Sequence, residues 1–191
     1  KVVTFGSVFE MGETHEERFF TEKDIQTSLS VAPNDYTVSK RMLTRFIGSY
    51  KHEYTHWHFF IPTIYGEAEN PKRLIPYTIN AIRNGEDLHF TAGDQTRQYV
   101  YVDEVPKLID LAYQKEIHSG LYNIQGKETL TVRELVTLVH KVLGKEVPEG
   151  CFGTANRADV GMKYLALDGS KLKEATGFEA SVRIEDVINK Y

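Results

Sequence analysis

The sequence predicts an α/β protein with a mainly parallel sheet. Two apolar runs, Val2 to Phe5 and Trp57 to Ile61, read as strands covered on both faces, because a half-solvated strand alternates apolar with polar residues. Other segments carry apolar residues at helical spacing. Strands and helices then alternate along the chain, the order expected of strand–helix–strand units.

Each element has its own signal. Lys1-Val2-Val3-Thr4-Phe5 is the first strand, and Gly6-Ser7 opens a long polar connection reaching Asn34. A domain does not normally begin with its most buried strand, so residues upstream of Lys1 are expected. Pro33-Asn34-Asp35 supplies a turn and an N-cap for a helix from Tyr36 to about residue 50. Trp57 to Ile61 is the second strand, broken by Pro62 and closed by Tyr65-Gly66, and its histidine-flanked ends suggest a sheet edge. Ile75, Ile79 and Ile82 mark a helix from Leu74 to Arg83, with Gly85 just past its end. Leu88 to Thr91 and Tyr99 to Val102 are short strands, and Asp103 is placed to cap the helix that follows. Leu121 to Ile124 is a further strand. Thr131-Val132-Arg133-Glu134 is a capping box, opening an amphipathic helix with Leu135, Val136, Val139, Val142 and Leu143 inward. Two short helices, near Ser170 to Thr176 and Arg183 to Lys190, complete the chain.

The bulk properties exclude several functions. A net charge of −4 leaves no basic stripe for nucleic acid, and no apolar run is long enough for a membrane span. Cys151 is the single cysteine, which rules out an internal disulfide and a multi-cysteine zinc site. His56 and His58 beside Trp57 have no cysteine or carboxylate at sensible spacing, so no metal site is expected there. The expectation is a soluble, cytoplasmic protein.

Tyr36-Thr37-Val38-Ser39-Lys40 carries the strongest chemical signal. A tyrosine and a lysine four apart on a helix share a face, one turn from each other. An ammonium beside a phenol favours the phenolate, which makes a usable acid/base for a sugar or alcohol oxygen. Arg97 has an independent case, since guanidinium presents paired donors that suit phosphate oxygens.

These segments resemble the extended short-chain dehydrogenase/reductases, of the NAD-dependent sugar-nucleotide epimerase/dehydratase type. Asn34 to Lys40 is similar to the family's Pro-Tyr-x-x-Ser-Lys segment, and Lys1 to Ser7 resembles its strand ending in a catalytic Ser or Thr. Gly12 then meets the glycine that follows five residues later. Thr4 is the alternative hydroxyl, but it lies inside the strand and not at its carboxyl end. Further matches follow in the family's order: Ile61 to Gly66, Arg73-Leu74-Ile75-Pro76, Gly93 to Asp103, Tyr122 to Gly126, Leu167 to Lys171, and Thr176-Gly177-Phe178.

The resemblance implies the C-terminal part of a Rossmann-like doubly wound parallel sheet, with a small α/β substrate-binding region. Residues 1–66, joined in part by about 86–125, would form the Rossmann-like portion; 67–85 and 126–191 would form the substrate region. It implies Ser7, Tyr36 and Lys40 as catalytic and cofactor-contacting residues. Thr63, Arg73, Leu74, Arg97 and Arg157 would hold substrate, a nucleoside-diphosphate sugar. NAD or NADP is the implied cofactor, and a homodimer paired through the Tyr36 helix is the implied assembly; Met42, Phe46 and Ile47 are apolar enough for that pairing and equally for packing inward.

Three departures sharpen the expectation. The chain has no G-x-G-x-x-G turn for a dinucleotide diphosphate. Val8 and Phe9 stand where the family's 4,6-dehydratases carry an Asp-Glu pair. Neither can serve as the acid or base that eliminating water requires. Phe60 and Thr63 replace the usual arginine and asparagine before Tyr65-Gly66. The function implied is therefore a nucleoside-diphosphate-sugar epimerase or 4-keto-reductase, with a non-catalytic sugar-nucleotide-binding relative as the rival.

Overall fold

The computed structural model describes residues 1–49, 51–157 and 161–191. Its strands fall into two sheets. In the first, β1 (Val2–Ser7) pairs in parallel with β2 (His56–Ile61), and β2 with β5 (Gly120–Asn123), giving the order β1-β2-β5. Trp57 and Phe59 of β2, with Val3 and Phe5 of β1, pack with Leu108 and Ala112 of α4 (Glu104–Gln114). The alternate residues His58 and Phe60 face the other way. His58 meets Thr44 of α2 (Asp35–Ser49), and Phe60 packs with Val8 and Met11. Helical segments thus cover both faces, which is why β2 reads as one apolar run.

Pro62 separates β2 from β3 (Thr63–Tyr65) and carries the chain into the second sheet. Proline has no amide hydrogen for a ladder, so the break is built into the sequence. There β3 and β7 (Tyr164–Leu165) each pair in parallel with β4 (Thr96–Tyr101), and β6 (Glu128–Thr131) pairs antiparallel to it. Helices α3 (Leu74–Asn84) and α5 (Val132–Val142) cover this sheet through Ile75, Ile79, Leu135 and Val139, packed on Tyr65, Tyr99 and Tyr101. Thr131 opens α5 as expected: its hydroxyl accepts from Glu134 N at 3.1 Å, and the Glu134 carboxylate accepts from Thr131 N at 2.8 Å. Such a cap contributes about 1 kcal/mol. Gly85 ends α3 in the left-handed region, at φ 68°, where a side chain would be strained. The chain closes with α6 (Ser170–Thr176), α7 (Ile184–Val187) and a last 3₁₀ turn at Ile188–Lys190.

Several local expectations are corrected. The polar stretch after Ser7 is not one long connection. It holds a 3₁₀ turn at Val8–Met11 and the short helix α1 (Glu22–Thr27), each opened by a capping box. Leu88 to Thr91 is not a strand; Phe90 makes one bridge to Phe152. Strand β6 had no apolar run to announce it, since all four of its residues are half-buried. Asp103 makes no side-chain cap bond to α4. Finally, β2 is the central strand of its sheet, and His56 and His58 are buried in it.

Candidate active site

The parallel strands of the first sheet end together, with Ser7 in register with Ile61. Carboxyl ends of parallel strands are where ligands meet such sheets. Here Ser7 is both the last residue of β1 and the cap of the following 3₁₀ turn. Its hydroxyl accepts from Phe9 N at 3.2 Å, and its own amide donates to Glu10 Oε1 at 2.8 Å. That leaves the hydroxyl proton of Ser7 available to a reacting oxygen. Thr4 lies inside β1, with its hydroxyl 2.8 Å from both His56 Nε2 and His58 Nδ1.

Helix α2 is locked against this turn. Asn34 Oδ1 accepts from Thr37 N at 3.0 Å near its start. The Arg41 guanidinium donates to the carbonyls of Glu10, Ser30 and Met11 at 2.6, 2.6 and 2.9 Å. A β-carbon on Gly12, at φ 77°, would collide with that guanidinium. The clamp sets Tyr36 and Lys40 beside the end of β1. Lys40 Nζ donates to the Phe5 carbonyl at 2.9 Å and lies 5.9 Å from the centroid of the Tyr36 ring. Tyr36 is 51% exposed in this chain.

Beyond Phe9 a cavity of about 580 Å³ opens against the second sheet. Its lining includes Thr63, Arg73, Leu74, Arg97 and Arg157, so all five residues expected to hold substrate come together there. Arg97 is 7% exposed, and its Nη1 donates to the carbonyls of Thr96 and Met162 at 2.9 and 2.7 Å. Arg73 donates from Nη2 to the Ile64 carbonyl and pairs through Nε with Glu69, both at 3.0 Å. Tyr191 fixes that carboxylate with a 2.6 Å hydrogen bond from its hydroxyl. Burial raises the pKa of Glu69. Tyr77 and Phe90, edge to face, give the cavity an aromatic wall, and Thr91 and Gln95 give it a polar one.

Ser7, Tyr36 and Lys40 do not line the cavity; Phe9 joins the two groups. Its ring meets Tyr36 edge-on, with centroids 6.5 Å apart, and lies 5.8 Å from the Arg97 guanidinium. Phe9, Glu10, Tyr77, Phe90 and Gln95 were not among the sequence-derived candidates. Only Glu10 carried a legible signal, because Ser7-Val8-Phe9-Glu10 has the spacing of a capping box.

Residues 1–124 match the model of the NAD dependent epimerase/dehydratase family. The chain belongs to this family. Among family relatives, it is 27% identical over 184 residues to Low-salt glycan biosynthesis protein Agl12 of Haloferax volcanii, covering 92% of this chain and 55% of that protein. Two solved structures share the fold. One is a dTDP-glucose 4,6-dehydratase from Bacillus anthracis in complex with NAD, with a TM-score of 0.81 and 20% identity, covering 100% of this chain and 60% of that one. The other is a UDP-glucose 4-epimerase from Thermotoga maritima with UDP-glucose, with a TM-score of 0.80 and 23% identity, covering 97% and 60%. This chain thus spans little more than half the length of these relatives.

The residues present fit one end of the family's cofactor. A hydroxyl, a phenol and an ammonium at the end of β1 suit the ribose and nicotinamide, whereas the 191 residues contain no glycine-rich turn for the diphosphate. Among the described residues no group of three or more His, Cys, Asp or Glu side chains could hold a metal ion, and no helix is long and apolar enough to cross a membrane.

Proposed function

We propose that this chain carries the acid/base group and the substrate pocket of an NAD(P)-dependent nucleoside-diphosphate-sugar epimerase or 4-keto-reductase. One observation carries the reading: the cavity lined by Arg73, Arg97 and Arg157 is also lined by Phe9, whose ring meets that of Tyr36. Three guanidinium groups suit a diphosphate, the aromatic wall suits a base, and the sugar would extend past Phe9 toward Tyr36. A bound nicotinamide would supply the hydride acceptor or donor. Tyr36 would hold the proton of the sugar hydroxyl, Ser7 would donate a hydrogen bond to the same oxygen, and Lys40 would favour the phenolate. Phe9 would keep water from that oxygen.

Dehydratases are also among the similar proteins. Against that activity here, Val8 is buried and Phe9 faces the cavity, so the two positions after Ser7 provide neither an acid nor a base. A homodimer through α2 belongs to the same proposal. Val38, Met42 and Phe46 are exposed on that helix, while Ile47 packs inward and offers no contact. Calorimetry with UDP- and dTDP-sugars tests the reading. Binding that weakens on Arg97→Ala is expected, and the absence of binding to any nucleoside-diphosphate sugar would overturn it.

A further inference from the structure

A strand turns every second side chain to the same face, and Gln95, Arg97 and Tyr99, at the start of and along β4, all line the cavity. Gln98 faces the other way, where its amide exchanges hydrogen bonds with the Leu167 backbone. On the cavity side, Gln95 and Tyr99 are each only 3% exposed. The Gln95 side-chain oxygen accepts from the Thr91 hydroxyl at 3.0 Å, which fixes the amide and leaves its nitrogen as the other group. Among the described residues nothing accepts a hydrogen bond from that nitrogen or from the Tyr99 hydroxyl, yet neither atom is sealed in by protein. Buried donors without acceptors are rare in native proteins. Two of them on one wall of one cavity mark a place where a ligand supplies the acceptors.

The chemistry of the row names the ligand class. A guanidinium, an amide nitrogen and a protonated phenol all give hydrogen bonds. Burial raises the pKa of Tyr99, although the Arg97 and Arg73 charges act to lower it, so its hydroxyl keeps its proton. Glu69, a carboxylate on the same cavity, is already held by Arg73 and by the Tyr191 hydroxyl. A partner for such a wall is anionic and rich in acceptors, as phosphate is. Residues advance about 3.3 Å along a strand, so Gln95 and Tyr99 stand about 13 Å apart with Arg97 midway. One phosphate cannot reach both ends; two joined phosphates, each one hydrogen bond from its donor, can. The row also has a direction. Gln95 is tied to Thr91, next to Phe90 of the aromatic wall, whereas Tyr99 is in register with Thr63, which follows the end of β2.

We propose that Gln95 and Tyr99 flank Arg97 as donors that read a diphosphate, the Gln95 amide on the phosphate next to the nucleoside and the Tyr99 hydroxyl on the phosphate next to the sugar. The row selects a diphosphate over a monophosphate, because only the second phosphate reaches Tyr99. Arg97 by itself makes no such distinction, since its charge serves either. Thr91 is the positioning residue of the row: its hydroxyl holds the Gln95 oxygen and so keeps the amide nitrogen toward the ligand. That the ligand is a nucleotide rests on the function proposed above.

Calorimetry with UDP, dTDP, CDP and GDP, each beside its monophosphate, tests the row. Tyr99→Phe removes one oxygen that bonds to no protein group, so its thermal melt should match that of the wild type. It should bind the preferred diphosphate about tenfold more weakly and the matching monophosphate within about twofold of wild type. Gln95→Glu keeps an acceptor for Thr91 but turns a carboxylate toward the phosphate, so it should weaken both ligands by about tenfold or more. Wild-type diphosphate affinity in Tyr99→Phe would overturn the row, as would an equal loss for the monophosphate, the mark of a general disturbance of the cavity. Unchanged monophosphate binding in Gln95→Glu would overturn the part given to Gln95. A wild type that binds none of the diphosphates would overturn the proposed function and the row with it, whereas binding that Tyr99→Phe leaves intact removes the row alone.

Discussion

The Phe9 ring stands edge-on to that of Tyr36, at 6.5 Å between centroids and 78° between planes, and it also lies 5.8 Å from the Arg97 guanidinium. One side chain therefore joins the end of β1, helix α2 and the cavity of the second sheet. Phe9→Ala removes an aromatic contact and a cation–π contact, each worth about 1 kcal/mol. Sugar-nucleotide affinity should fall about tenfold, with a larger loss in kcat as water reaches Tyr36. Steady-state kinetics beside calorimetry separate the two effects.

Arg97→Lys keeps a charge but loses the planar guanidinium whose Nη1 donates to both the Thr96 and Met162 carbonyls. Lysine cannot reproduce a bidentate contact with a diphosphate. We expect a loss of about 2 kcal/mol in nucleoside-diphosphate binding, read by calorimetry. A thermal melt beside it measures how much of the loss belongs to the fold.

The buried His58 makes stability depend on pH. Its folded-state pKa of about 4 lies below the ordinary 6.5, so between those values the unfolded chain binds the extra proton. Stability contributed by the neutral ring is present above pH 6.5 and is lost as pH falls toward 4, by about 3 kcal/mol. Glu10, raised by burial, acts with the opposite sign, since it loses stability as pH rises above the ordinary carboxylate range. Urea midpoints across this window, compared with those of His58→Gln, isolate the histidine: the acid-side loss should flatten in the variant.

Met42 and Phe46 are 68% and 63% exposed on one side of α2. Glutamate at both positions should convert a dimer to monomers, by placing charges in an apolar contact. Sedimentation reads the mass, and a wild type already monomeric at micromolar concentration would contradict the assembly.

Much of this arrangement was legible in the residues. Continuous apolar runs gave away β1 and β2 because helical segments cover both faces, and Thr131 with Glu134 announced α5. The motif order brought Thr63, Arg73, Leu74, Arg97 and Arg157 to one cavity although they span 95 positions. What stayed hidden depends on long-range packing. Strand β6 is half-buried and polar, recognisable only through its pairing with β4. Phe9 read as a lost carboxylate, because nothing local says that its ring faces both Tyr36 and Arg97. His56 and His58 read as flanks of an edge strand; with β1 and β5 on either side, they lie in the centre of the sheet.

The most direct test of the account is Tyr36→Phe, compared with the wild type for sugar-nucleotide binding and for nicotinamide-linked turnover. The phenol hydroxyl is the proposed proton carrier and lies outside the cavity lining. Binding within about twofold of wild type and turnover lower by about 10²- to 10⁴-fold is the predicted result. Turnover that survives the loss of that hydroxyl would contradict the central claim.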